Sequence, residues 1–374
     1  MHNSTLGLIF SENPEANLGD LTNLRALAAV PVGGRYRIID FILSNMVNTG
    51  IANVGITTTS KMQSLTDHLG TGKDWDLARK QNGLFILPHN EAYDSNKQYG
   101  VDYIYNAFSY LRRSRQDYVL VSDCNTICNL TYEDVEKLHM EKDADITMVY
   151  TKVGQIEDRR LKRHIFLDVD KDGRVTDMEL YPTVQKLNNS YMHMFYIKKS
   201  LLLELVGDCI AHGKHKLNAD LLMSNIDKLK IYAYEFEGYS KTIDNIKTYF
   251  GFNLDLLKKE VRDELFGTKD DDRIYTKVKD MVPTKYGKNS CVTNSIIADG
   301  CVIEGQVKNC IIFRGVKIGE GAVVENSIIM QNSQIMENCL VENAIFDKEV
   351  ILREGKKLVG QETYPVIIGK RVVV

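Results

Sequence analysis

Residues 301–330 read CVIEGQVKNC IIFRGVKIGE GAVVENSIIM, and this stretch decides the architecture of the C-terminal part of the chain. Aliphatic or aromatic side chains return at Val302, Val307, Ile312, Ile318, Val324, Ile329, Ile335, Val341, Phe346 and Ile351, in steps of five or six. A helix repeats every ~3.6 residues and a half-buried strand every ~2, so neither produces this spacing. Hexapeptide repeats do. Each short flat strand sends one aliphatic side chain into the interior of a parallel β-helix, and the chain turns at small or polar residues such as Gly305, Gly315, Gly319, Gly321 and Asn326. A β-sandwich would turn every ~8–12 residues instead. The expectation is a left-handed parallel β-helix over residues 290–374.

Working backwards, residues 256–289 carry Asp263, Glu264, Lys269, Asp270, Asp271, Asp272 and Arg273, then Pro283 and Gly287, and read as a linker. Before it, residues 1–255 alternate short apolar β-rich runs with amphipathic stretches, which predicts an α/β domain with a mixed sheet. Leu6 to Phe10, Val54 to Thr58, Tyr118 to Ser122 and Ile146 to Tyr150 read as strands. Val119, Leu120 and Val121 are apolar on consecutive positions, as in a central strand covered on both faces. Asp123 then falls at the carboxyl end of that strand, where open α/β sheets bind ligands. Its plainer reading is a turn or helix-cap aspartate.

Lysine plus arginine number 47 against 50 aspartate plus glutamate, a formal charge of −3, which argues against a nucleic-acid or anionic-membrane surface. No apolar run approaches the ~18 residues of a membrane span. Leu6 to Phe10 lacks the basic flank of a signal peptide, so the expected location is the cytoplasm. The seven cysteines show neither paired nor zinc-site spacing and read as reduced, mostly buried thiols.

Asp168, Asp170, Asp172, Gly173 and Glu179 fit a calcium-loop pattern. A calcium loop of that kind needs an exiting helix, yet Glu179 is followed by Leu180, Tyr181 and Pro182, and the entering Ile165, Phe166 and Leu167 read as a strand. An aspartate-rich hairpin turn is the expected reading.

Residues 25–41, RALAAVPVGGRYRIIDF, continuing with Leu43, Ser44, Asn45 and then Asn48, Thr49, Gly50 and Ile51, closely resemble bacterial glucose-1-phosphate adenylyltransferases, also called ADP-glucose pyrophosphorylases. With a nucleotidyltransferase-like α/β domain and a hexapeptide domain behind it, the resemblance covers essentially the whole chain. The departures from the family decide the functional reading. Active members carry G-G-x-G-x-R-L after the first strand, whose amides form a nest for a triphosphate. Here residues 11–18 read SENPEANL. Glycines and arginine are gone, Pro14 lacks an amide donor, and Glu12 or Glu15 about 5 Å from a phosphate would cost on the order of 3 kcal/mol per charge pair at an effective dielectric near 20.

The resemblance places further losses by position. The family's R-A-K-P lysine is Leu27, the glycine of its G-T-A-D is Tyr99, and the two polar contacts to glucose 1-phosphate are Tyr181 and Tyr191. The magnesium-binding aspartate of the family's G-D-H is kept as Asp123, but its carboxylate partner is Thr242. Arg25 and Arg37 persist where the family binds anionic effectors, beside Leu24 in place of a lysine. These arginines serve either an effector or carboxylates of the fold itself.

This pattern is similar to the GlgD-type regulatory subunits of the family. The resemblance implies a non-catalytic or weakly catalytic chain that forms a hetero-oligomer, expected to be a tetramer, with a catalytic paralogue. No catalytic residue set is then intact and no cofactor is certain; Mg2+ is required by the partner. The rival expectation is an active sugar-nucleotide nucleotidyltransferase with a divergent pocket, in which Asp244, two residues beyond Thr242 and so on the same face of a continuing strand, takes the metal position.

Overall fold

The computed structural model describes residues 4–88, 100–156, 161, 163–267 and 272–374. Strand β1 (Thr5–Phe10) is buried at every position, and it lies between β2 (Asn53–Thr58) and β4 (Tyr118–Asp123), parallel to both, with β3 (Gly83–Pro88) beyond β2. Burial along almost their whole length explains why β1 and β4 read as apolar runs rather than alternating ones. The sheet is completed by β5 (Ile146–Lys152), β6 (Ile165–Val169), β7 (Val175–Leu180), β8 (Asn189–Lys198) and β9 (Ile231–Glu235). Its order is β7-β6-β8-β4-β1-β2-β3, with β5 pairing β8 and β9. Because β8 runs antiparallel to β4, the sheet is mixed. The hairpin expected between β6 and β7 is present: Asp170 Oδ1 accepts the Asp172 and Arg174 amides at 2.9 Å, and Gly173 turns at φ +83°.

Three parallel sheets of five short strands each form the C-terminal domain, a hexapeptide-repeat β-helix. Its interior is a ladder of Ile303, Val307, Ile312, Ile318, Val324, Ile329, Ile335, Val341, Phe346 and Leu352. Two positions shift by one from the sequence expectation, since Ile303 and Leu352 point inward while Val302 and Ile351 are half-buried. Both pairs are adjacent aliphatics, which spacing alone cannot rank. Asn294, Asn309, Asn326 and Asn343 recur at one corner with φ between +42° and +53°, a conformation asparagine tolerates. Asn294 and Asn309 each donate to the next asparagine along the corner. The stretch read as a linker holds a helix, Lys259–Phe266, and from Lys285 the first coil strand, which pairs with Val302 and Ile303. Six of the seven cysteines are buried and none forms a disulfide; Cys291 is exposed.

One face of the β-helix closes the core of the α/β domain, with Ile311, Phe313, Ile328, Met330 and Ile345 in the same apolar cluster as Ile39, Phe250 and Leu256. Gly33 and Gly34, both at positive φ, make the turn that lies in this seam. A side chain on Gly33 would run into Leu256, with only 2.9 Å between Cβ and Cδ1, whereas at Gly34 it is the backbone, at φ +83°, that favours glycine.

Candidate active-site cleft and domain-interface cluster

Parallel pairing sets Phe10 beside Asp123, so the loop after β1 and the end of β4 share one rim of the sheet. Asp123 is 3% exposed, and its Oδ2 accepts a hydrogen bond from Asn13 Nδ2 at 3.0 Å. The amide orientation follows from the loop, because Asn13 Oδ1 accepts the Glu15 N–H at 2.9 Å, which leaves the NH2 group for Asp123. Glu12 Oε2 accepts the Leu27 N–H, and Oε1 accepts the Thr59 hydroxyl, each at 3.3 Å. Leu27 itself is buried in the α/β core.

On the opposite wall, Tyr181 follows β7 at φ +54° and donates its phenol to Glu15. Burial, then that carboxylate, push the phenol above its ordinary value, so it stays a donor. Tyr191 is buried on β8, with its hydroxyl also raised by burial and by Asp123. Just beyond it, Met192, His193 and Met194 oppose the single residue Val149 of β5, and this bulge turns His193 toward Asp123. Nδ1 of His193 lies 3.7 Å from Oδ2, a contact that favours the charged ring, yet burial and His164 push its pKa down to about 4. Burial wins, and the ring is neutral at pH 7. Tyr99 lies outside the described residues.

The donor set does not fit a magnesium ion. An amide N–H is aimed at Asp123 Oδ2 where a cation would sit, and Thr242 Oγ1 is bonded to Thr126 Oγ1 at 3.2 Å. Asp244 is not on the strand Ser240–Thr242; it precedes the helix Ile246–Asp255 and accepts from Thr248 Oγ1 and Asn245 Nδ2, both at 2.8 Å. The shared strand face that would have carried Asp244 to the metal position ends at Thr242. Among the described residues no group of three His, Cys, Asp or Glu is arranged to hold a metal.

Arg25 and Arg37 lie away from this rim, in the seam between the domains. Arg25 is 3% exposed, and its Nη2 donates to both oxygens of Asp347 on the β-helix, at 2.9 and 2.8 Å, while its buried Nη1 has no hydrogen-bond partner. Arg37 donates to the Ser64 carbonyl and hydroxyl, and burial lowers its pKa to about 10. Lys348 is pushed down to about 7 by burial, then by Arg37 and Arg25, with Lys370 acting in the same sense and Asp347 against it. The structure thus adds Asp347, Lys348 and Lys370 to the two arginines that the sequence singled out. It also adds Asn13, whose step into Pro14 was a readable turn signal, and Arg163, which donates to the Asp244 carbonyl.

A mixed α/β sheet with its ligand rim at the carboxyl ends of β1 and β4, followed by a hexapeptide β-helix, defines a sugar-nucleotide type of nucleotidyltransferase architecture. The nucleotidyl transferase family model matches residues 16–242, and that of the GlmU-like C-terminal hexapeptide matches residues 279–364. The glycogen biosynthesis protein GlgD of Bacillus subtilis (strain 168) is 36% identical over 100% of this chain and 97% of its own length. GlgD of Geobacillus stearothermophilus is 37% identical over 87% and 84%, and the glucose-1-phosphate adenylyltransferase of Clostridium perfringens (strain SM101 / Type A) is 33% identical over 99% and 95%. The chain belongs to the nucleotidyltransferase family of GlgD and the glucose-1-phosphate adenylyltransferases. No helix among the described residues is long and apolar enough to cross a membrane.

Proposed function

We propose that this chain is a regulatory subunit of glucose-1-phosphate adenylyltransferase in cytoplasmic glycogen biosynthesis, with little or no turnover of its own. It assembles with a catalytic paralogue into a hetero-oligomer, expected to be a tetramer, and modulates it. The partner joins ATP to glucose 1-phosphate by attack on the α-phosphorus, with pyrophosphate leaving and magnesium spreading the charge. The observation that carries this reading is the state of the rim: Asp123 is hydrogen-bonded to Asn13, Thr242, at the position of the family's second carboxylate, is bonded to Thr126, and Glu12 and Glu15 stand where phosphates need donors. The cluster of Arg25, Arg37, Lys348 and Lys370 is the anionic effector site. The orphaned, buried Nη1 of Arg25 supports that assignment, since a buried donor without a partner costs about 1–3 kcal/mol that an anion relieves.

Purified alone, the chain forms ADP-glucose at background rate from ATP and glucose 1-phosphate. Titrated into the catalytic paralogue, it changes the rate or the effector response. Robust turnover by the homogeneous chain, or a titration without effect, overturns the reading.

A further inference from the structure

The loop after β1 touches every wall of the cleft. Glu12 reaches Leu27 and Thr59 beyond β2, Asn13 reaches Asp123 on the floor, and Glu15 reaches Tyr181 beyond β7. The Asn17 amide then donates to the Asp244 carbonyl at 2.8 Å, and Arg163 holds that same carbonyl from its other side at 2.8 Å. Other donors of the loop are used inwardly: Ser11 N–H to the Thr57 carbonyl, Glu15 N–H to Asn13 Oδ1, and Ala16 N–H to the Asn13 carbonyl.

A phosphate-binding loop works the other way round. Its amides converge, unpaired, on a concavity that an anion fills. Here the loop brings its own carboxylates, one onto a backbone N–H and a hydroxyl, the other onto a phenol, and so connects walls that a ligand would otherwise bridge. We infer that residues 11–17 are a strap that holds the cleft closed in the absence of any nucleotide, with Glu12 and Glu15 as its two anchors. The inference rests on the reading that the cleft carries no chemistry, and it adds the physical form of that loss. The rim groups are engaged by the loop's own side chains rather than merely stripped of contacts. A chain closed in this way keeps one rigid rim shape whatever the nucleotide supply.

Hydrogen–deuterium exchange on the full nucleotide-free chain tests it. The amides of Ser11, Glu15, Ala16 and Asn17 exchange at least about tenfold more slowly than unstructured amides, and ATP with magnesium leaves their rates unchanged. Glu15→Gln combined with Tyr181→Phe speeds exchange in the strap by about tenfold while β1 and β4 stay protected, which shows that the variant is folded. A wild-type strap exchanging at the unstructured rate, protection that grows on adding ATP, or a double variant with unaltered strap rates would each overturn the inference. These are readings on the isolated chain, whereas the regulatory role is read from the partner's rate, so either conclusion can fail without the other.

Discussion

Removing Asp347 isolates a buried cation and gives the most direct test of the domain seam. The carboxylate is 1% exposed and takes both of the hydrogen bonds that Arg25 Nη2 makes, while the guanidinium is 3% exposed. The other groups acting on this spot, Arg37, Lys348 and Lys370, are bases that never carry negative charge, so none of them takes over from the lost anion. Breaking one partner out of a buried ion pair costs about 3–5 kcal/mol, because the survivor keeps its desolvation penalty without its Coulombic return. Replacing both partners by apolar side chains of similar volume is often close to neutral. Asp347→Ala is therefore expected to lose about 3–5 kcal/mol, and Arg25→Met with Asp347→Leu much less, giving a coupling of at least about 2 kcal/mol in a double-mutant cycle. Urea unfolding provides the assay, with the fluorescence of the single tryptophan, Trp75, buried in the α/β domain, reporting one domain and far-ultraviolet circular dichroism reporting both. Inorganic phosphate should return part of the stability of Asp347→Ala by supplying an anion to the orphaned guanidinium, and chloride at equal ionic strength should return less. A loss below about 1 kcal/mol for Asp347→Ala, or strict additivity in the cycle, would refute the account, since each means that Arg25 is hydrated rather than held by its partner.

Lys348 makes the same seam pH-dependent. Its folded pKa near 7 lies below the ordinary lysine value of ~10.4, so between those limits the unfolded chain binds a proton that the native chain has released. Stability accordingly rises with pH from about 7 upward, by at most ~1.4 kcal/mol per unit, and does not change on this account below that window. Lys348→Met is expected to raise stability at pH 7 and to flatten the slope in urea midpoints measured between neutral and alkaline pH; an unchanged slope would count against it. For the thiols, Cys291 is exposed and the other six are buried. An aromatic disulfide reagent is expected to titrate one thiol rapidly in the native chain and the rest only after unfolding, with Cys291→Ser abolishing the fast phase. A fast phase of two or more equivalents would contradict that burial.

The fold was legible where a periodic physical constraint is written repeatedly into the chain. Each coil of the β-helix must send an aliphatic inward, so the period of five or six residues survives even where Val302 and Ile303, or Ile351 and Leu352, leave the inward member undecided. Strands such as Thr5–Phe10 and Tyr118–Asp123 were equally plain, because burial on both faces demands continuous apolar sequence. What stayed hidden was pairing between distant residues. Nothing local to Arg25 announces Asp347, 322 positions away, and nothing local to Tyr181 announces Glu15.

The cleft illustrates why such pairings matter more than the losses that sequence reading finds first. Counting missing groups at positions 12, 27 and 242 leaves an open, weakened pocket, and an open acidic pocket beside Asp123 would still attract a divalent cation. Once Asn13 is seen to donate to Asp123 Oδ2, that outcome changes, because a cation must first displace a hydrogen bond that the Glu15 amide helps to orient. Displacing it frees Asn13, which ties Glu15 to the floor, and Glu15 is the group that holds Tyr181 across the gap. Metal entry would thus have to undo the span between floor and far wall together, a cooperative cost that no single substitution reveals. In this structure Asp123 serves as an acceptor for its own loop.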